Sequence, residues 1–427
     1  MSESPSPPSP PSPGGASPAS SPPPRPARVV LLAGILLGLA GVWTTFARHP
    51  QLVGVDLKVY YVAAETALAG GDFYAASPEG HPYSYVYPPV TLPAFYPYAL
   101  LGGWRAAFAV HTLLNVACAL GVGVLLVRFV ERHRGSSLPG VDRALVIGYV
   151  ALSLHSVPSI LYGETNFPLA LALVAGFWWL EETGEPTKAG VAFAVPAVVK
   201  LFPAAVGLWL LRRRSWRAVA AATATGVGAF AVGAAAFGVE THLTYVRTAL
   251  LPRLSGEEFV GGLDASAQLV TLRRPISVLF PSLPESAYGL LAFALLAPVV
   301  AYCYRRVETP TQRLVGVFAT LAAMVVGFPS LLVYFAFLFF PLIPLLYLLE
   351  PGTPRKLFAA GAFVANFAFT ATTAGALVTA TPIPDATLAL LDPALTLATP
   401  PLYGTVLMLA GCVLAVRRTA STPAHPS

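Results

Sequence analysis

Apolar runs of about twenty residues, each long enough to cross a bilayer as a helix, recur along this chain from Val29 to Val416. That recurrence excludes most folds at once. A soluble protein carries about 25% charged residues, whereas only 11% of these 427 residues are Asp, Glu, Lys or Arg and 56% are hydrophobic. The chain reads as an all-α polytopic membrane protein. Its formal net charge of +6 does not point to nucleic acid, because excess Lys and Arg in membrane proteins decorate cytoplasmic loops.

Cys118, Cys303 and Cys412 fall inside apolar stretches, where a thiol behaves as a small hydrophobe. Eleven of the 42 prolines lie in residues 1–28, interleaved with Ser, Ala and Gly. Without apolar periodicity this segment is expected to be a disordered cytoplasmic tail, followed by a membrane domain over 29–418 and a short cytoplasmic tail over 419–427. Hydropathy places spans near 29–47, 106–127, 144–161, 167–180, 216–238, 286–304, 314–328, 331–349, 357–378 and 400–416. With the termini inside, eighteen of the 26 basic residues fall in inner loops and seven in outer ones, the asymmetry that orients membrane proteins. The remaining one is Lys200.

The segment 189–211 is long enough to cross once, but Lys188 flanks one end and Arg212, Arg213 and Arg214 the other. Pro196 and Pro203 bracket Lys200 near its middle. A broken, re-entrant hairpin keeps both basic flanks on one side. Lys200 then either snorkels to an interface or has a partner or a function within membrane depth.

Polar chemistry collects in the outer loops. Leu57, Tyr60, Tyr61, Ala64 and Leu68 recur at helical spacing, with Lys58 and Glu65 off the stripe and Gly70-Gly71 as a stop. They predict an amphipathic helix on the outer interface. Asp56, just before the stripe, suits either an N-cap or a general base. Tyr162, Gly163, Glu164, Thr165 and Asn166 form a second outer turn, in which Asn166 is one of three asparagines and also suits an N-cap. The loop 240–285 carries Ser266 and the pair Arg273-Arg274. Guanidinium forks bind phosphate bidentately, although a solvated loop with internal ion pairs accounts for the same residues. His111 and Asn115, spaced i, i+4, read as interhelical hydrogen-bonding groups. The sequence holds no GxxxxGK[ST], HExxH or GxSxG motif, so soluble nucleotide chemistry has no support.

Taken in order, several of these segments resemble glycosyltransferase family 87. They are Gly54-Val55-Asp56-Leu57-Lys58-Val59-Tyr60-Tyr61 with Ala63-Ala64, Gly70 and Tyr74; then Tyr85-Val86-Tyr87-Pro88-Pro89 with Pro93; then Gly163-Glu164-Thr165-Asn166; then Lys200-Leu201-Phe202-Pro203 with Arg212-Arg213-Arg214-Ser215-Trp216-Arg217. Ser266 and Arg274 fall where the family has a Ser and an Arg after its long outer loop. The similarity runs from about Val29 to Tyr347. In one place the chain departs: many members carry His or Trp after a Pro-x-Ser-like turn, where this chain has Pro329-Ser330 and then Tyr334.

The resemblance implies a GT-C-like bundle of about 10–12 transmembrane helices with an outer-face interfacial helix. It implies an inverting hexosyltransferase that moves a hexosyl group, mannosyl by family, from a polyprenyl- or dolichyl-phosphate sugar to a lipid or glycan acceptor on the extracytoplasmic face. Asp56 maps onto the family's catalytic base. Lys58, Tyr60, Tyr61, Tyr87, Asn166, Lys200, Ser266, Arg273 and Arg274 are the expected substrate-binding residues. No cofactor is expected and no carboxylate cluster suggests a metal. The partners are then the lipid-phosphate sugar, the acceptor and membrane lipids, with no nucleic acid. A secondary transporter or lipid flippase working around Lys200 is the alternative.

Overall fold

The computed structural model describes residues 24–379 and 385–421. Among these the regular secondary structure is helical, with one isolated antiparallel bridge between Val270 and Ser330. It is an all-α polytopic membrane protein. Residues 1–23 of the expected tail lie outside the described residues. Order begins earlier than the sequence suggests, because α1 (Arg25–Arg48) starts at once behind Pro24, a residue type with fixed φ that suits a helix entry. At the other end the last helix runs to Ser421, and residues 422–427 lie outside the described ones.

The chain continues through α2 (Val55–Leu68), α3 (Trp104–Arg134), α4 (Gly140–Leu152), α5 (Val157–Tyr162), α6 (Asn166–Glu181), α7 (Pro186–Lys200), α8 (Val206–Arg212) and α9 (Trp216–Phe237). After a long connection come α10 (Arg273–Leu279), α11 (Glu285–Cys303), α12 (Pro310–Gly327), α13 (Phe339–Leu348), α14 (Thr353–Ala365) and, last in the chain, α15 (Pro400–Ser421). Among the described residues six helices, α1, α3, α9, α11, α12 and α15, are long and apolar enough to cross a membrane unbroken. The other expected spans are shorter or interrupted. The stretch 144–161 divides into α4 and α5 because Pro158 supplies no N–H and its ring clashes with a preceding helical turn; Ser153 and Ser156 bond to each other at the break, 3.0 Å apart. The stretch 357–378 stops at Ala365, where Asn366 turns inward to accept from the Tyr149 hydroxyl and donate to the Val30 carbonyl, both at 3.0 Å. The apolar helix α12 fills the centre, buried at every residue from Leu314 to Gly327.

The 189–211 segment is a hairpin. α7 ends at Lys200, Leu201 takes a left-handed φ of 51°, and the chain returns through a 3-10 turn at Phe202–Ala205 into α8. Both feet stand at one end of the bundle: Glu185 N donates to the Trp179 carbonyl, and Arg213 lies 3.6 Å from Glu181. The same end carries a belt of ion pairs, with Glu181 also holding Arg313 at 2.6 Å, Glu182 holding Arg132 at 3.1 Å and the buried Asp142 holding Arg28 at 2.6 Å. Lys200, at the hairpin tip, marks the opposite end.

Candidate active site

Two glycines let the backbone close around the hairpin tip. Gly54 holds φ +73° at the start of α2, and its N–H donates to the Leu161 carbonyl over 2.8 Å. Gly163 holds φ +78°, and a Cβ there would stand 2.7 Å from the Leu57 Cβ. Glycine alone satisfies both the left-handed backbone and the close approach. The result sets the first turn of α2 against the 163–166 turn, so Asp56 and Glu164 become neighbours.

Glu164 is fixed from both sides. Its carbonyl accepts from Asn115 Nδ2 at 3.0 Å and from His111 Nε2 at 3.1 Å. Because a carbonyl only accepts, Nε2 of His111 carries the proton and Nδ1 accepts from the Tyr98 hydroxyl at 3.0 Å. The i, i+4 pair on α3 therefore anchors a loop rather than another helix. The Glu164 carboxylate meets the Lys200 ammonium at 2.8 Å, and Lys200 also donates to Asn166 Oδ1 at 2.7 Å. The amide nitrogen of Asn166 donates to Ser159 Oγ at 3.0 Å. The Lys200 ammonium sits over two rings, 4.9 Å from Tyr334 and 5.6 Å from Tyr87. Tyr87 and Tyr60 share a hydroxyl hydrogen bond of 3.0 Å.

Neither expected cap is one. Gly54 precedes α2 and Asp56 lies in its first turn, with no side-chain cap hydrogen bond. Asn166 likewise follows its cap position, Thr165, and spends its side chain on Lys200 and Ser159. Burial, followed by the negative charge of Glu164, pushes the Asp56 carboxyl up to about 8, and the Lys200 charge opposes the rise. A carboxyl poised near neutral pH can take a proton as a base.

Behind this group stands an aromatic wall of Tyr60, Phe73, Tyr74, Tyr85, Tyr87 and Phe95. It closes on itself: the Tyr74 hydroxyl donates to the Tyr87 carbonyl at 2.7 Å, and Tyr85 and Thr91 share a hydroxyl bond of 2.6 Å. The Tyr and Pro segment 83–98 is thus half lining and half scaffold. The α2 stripe is buried as its spacing predicts, except that Leu68 at its end is exposed.

The structure therefore brings together Asp56, Tyr60, Tyr87, Asn166 and Lys200. The other expected residues are placed elsewhere. The ammonium of Lys58 caps the Trp104 ring at 4.2 Å. Tyr61 is paired with Glu65, one turn further along its own helix. Ser266 bonds Asp264 in an exposed turn. Both guanidinium groups of α10 serve backbone carbonyls: Arg273 donates to Gly327 at 3.2 Å, and Arg274, fully buried, donates to Ala267 and Thr396. Glu164 and Tyr334 join the cluster without having been singled out as binding residues. Among the described residues no group of three or more His, Cys, Asp or Glu side chains gathers as metal ligands would.

Residues 85–334, more than half of the chain, match glycosyltransferase family 87. The chain belongs to glycosyltransferase family 87. The matched stretch contains Tyr87, Glu164, Asn166, Lys200 and Tyr334, and Asp56 precedes it. Two curated mycobacterial relatives are similar over part of their length. One is a polyprenol-phosphate-mannose-dependent alpha-(1-2)-phosphatidylinositol pentamannoside mannosyltransferase of Mycolicibacterium smegmatis, 31% identical over 243 residues that cover 52% of this chain and 55% of the relative. The other is a polyprenol-phosphate-mannose-dependent alpha-(1-2)-phosphatidylinositol mannoside mannosyltransferase of Mycobacterium tuberculosis, 24% identical over 208 residues, or 46% of this chain and 47% of the relative. The chain thus matches about half the length of these relatives. No solved structure matches it.

Proposed function

We propose that this protein transfers a mannosyl group from a polyprenyl-phosphate mannose to the hydroxyl of a glycolipid acceptor on the extracytoplasmic face of the cell membrane, with both termini cytoplasmic. The reading draws on family membership, on the donors and mannosylated lipid acceptors named for the relatives, and on one observation above all. That observation is the carboxyl of Asp56, raised to about 8 beside the Glu164–Lys200 pair at the hairpin tip.

The chemistry follows from the groups present. The acceptor hydroxyl attacks the anomeric carbon of the donor, Asp56 takes the hydroxyl proton, and the bond from that carbon to the phosphate oxygen breaks. The lipid phosphate leaves with both bonding electrons, and the configuration inverts. A phosphate leaving group needs no proton, so a single base suffices, unlike the paired carboxylates of glycosidases. The aromatic wall limits water around the base and restrains hydrolysis of the donor. Lys200, bound by Glu164 and Asn166, orders the turn that faces Asp56.

Purified full-length protein given a panel of polyprenyl-phosphate sugars and a phosphatidylinositol mannoside should yield a lipid one hexose heavier from the mannose donor, read by mass spectrometry. A transporter instead moves substrate across proteoliposomes without making that product, and its uptake survives Asp56→Asn but fails with Lys200→Met.

A further inference from the structure

Two cations meet on one indole ring beside the helix that carries Asp56. The ammonium of Lys58 lies 4.2 Å from the centroid of the Trp104 ring, and the guanidinium of Arg105 lies 5.0 Å from the same ring. Lys58 stands two residues beyond Asp56 on α2, and residues two apart on a helix do not share a face. Asp56 neighbours Glu164, and Lys58 turns instead to the start of α3. Printed onto the same corner of the fold are the two glycines that close the site. A Cβ on Gly54 would stand 3.0 Å from Trp104 Cζ3 and 3.3 Å from Phe108 Cδ2, and a Cβ on Gly163 would stand 3.5 Å from that same Phe108 atom. The ring that gathers the cations is therefore packed against the residue that opens the first turn of α2.

Neither cation is taken up by the protein. Among the described residues no carboxylate forms an ion pair with Lys58 or Arg105, and neither side chain donates a hydrogen bond; the Trp104 ring is what they touch. Lys200, held by Glu164 and Asn166, and Arg247, 3.8 Å from Glu240, are different. The first turn of α3 holds no acidic residue, so the positive end of that helix adds to the same field. Like charges on one ring repel, and an anion that both can reach relieves the repulsion. Arg105 is exposed, Lys58 and Trp104 are half-buried, and Leu100 and Leu101 are exposed just ahead of the ring. A tryptophan flanked by cations and bare leucines suits the headgroup level of a membrane, with apolar surface for acyl chains and charge for a phosphate.

In an inverting displacement the attacking hydroxyl and the departing group occupy opposite faces of the anomeric carbon. A cation pair on the helical turn of the base therefore stands on the acceptor's side of the reaction. We propose that Lys58 and Arg105, steadied by Trp104, bind the phosphodiester of a glycerophospholipid acceptor and so bring its sugar to Asp56. The naming of that lipid as acceptor rests on the transferase reading, but the grip on a phosphodiester can be measured without any transfer.

The test titrates full-length protein in neutral detergent with phosphatidylmethanol and with diacylglycerol of the same acyl chains, and reads bound lipid by native mass spectrometry. The wild type should prefer phosphatidylmethanol by about tenfold or more, as charge-assisted contacts to a phosphate allow. The double variant Lys58→Gln with Arg105→Gln should abolish the preference while leaving diacylglycerol binding and melting temperature unchanged. Arg105→Lys should keep part of the preference, and Arg247→Gln should keep all of it. In the transfer assay the double variant should raise KM for phosphatidylinositol mannoside by about tenfold and leave KM for polyprenyl-phosphate mannose as it is. A wild type without preference, a double variant that retains it, or a rise in donor KM in place of acceptor KM overturns the assignment. Lost preference with an unchanged acceptor KM overturns it too, and makes the site one for surrounding phospholipid. Lost preference together with a wild type that transfers no sugar from any donor would sink the transferase reading and leave the phosphodiester site standing.

Discussion

Glu164→Gln removes the carboxylate whose charge raises Asp56 and at the same time frees the Lys200 ammonium from its 2.8 Å ion pair. Both changes favour ionised Asp56, so the base should titrate lower. A neighbouring charge a few ångströms away moves a carboxyl by about one pKa unit or more, which would take Asp56 from about 8 to about 7. The direction of the pH dependence follows from the chemistry: only the carboxylate accepts a proton, so kcat/KM climbs with pH through the Asp56 titration and levels off above it. At pH 7 a base with a pKa of about 8 is roughly 9% ionised, and one with a pKa of about 7 is half ionised, a gain of about fivefold in active enzyme. A weaker base also transfers its proton less readily, so the plateau should fall. The midpoint is therefore the readout, measured as kcat/KM for mannosyl transfer from about pH 6 to about pH 10. Lys200→Gln should move it the other way. A Glu164→Gln midpoint that stays at about 8 or rises would refute the electrostatic account of Asp56.

Other perturbations test the scaffold. Gly163→Ala places a methyl group 2.7 Å from the Leu57 Cβ at φ +78°; it should cost about 2 kcal/mol of stability and lower kcat as the turn backs away from α2, seen in thermal melts and turnover. Glu181→Ala strands Arg313 and Arg213 at the ion-pair belt. Breaking a largely buried pair costs about 3 kcal/mol, so the melting temperature should fall while the pH midpoint of transfer stays put. Cysteine labelling from outside intact cells should reach Asp264→Cys and Asp56→Cys but not Arg132→Cys, and the reverse pattern would invert the proposed orientation.

The all-α membrane architecture was legible because hydrophobic length is a property of the sequence alone. The 189–211 hairpin was legible too, since a single crossing would put Lys188 and Arg212–Arg214 on opposite sides of the membrane and switch the side of every later loop. Breaks such as Ser153–Ser156 were harder, because hydropathy averages over Pro158 and sees one span from 144 to 161. In the site, Asp56, Asn166 and Lys200 stood out as polar residues near the membrane. Glu164 shared the turn of Asn166 yet drew no role, because its function comes from meeting Lys200, 36 residues on. Arg273 and Arg274 show the opposite case. A paired-arginine motif reads as an open clamp in a solvated loop, whereas the fold buries both residues and turns their guanidinium groups to backbone carbonyls. Sequence displays donors; only the fold shows which are already occupied.

The central claim is that Asp56 is the base of a mannosyl transfer. Its most direct test is transfer by purified Asp56→Asn protein, from polyprenyl-phosphate mannose to a phosphatidylinositol mannoside, beside wild type of matched melting temperature. Loss of a general base predicts product formation lower by about a hundredfold or more, with donor binding retained. Transfer by Asp56→Asn at a rate close to wild type would contradict the account.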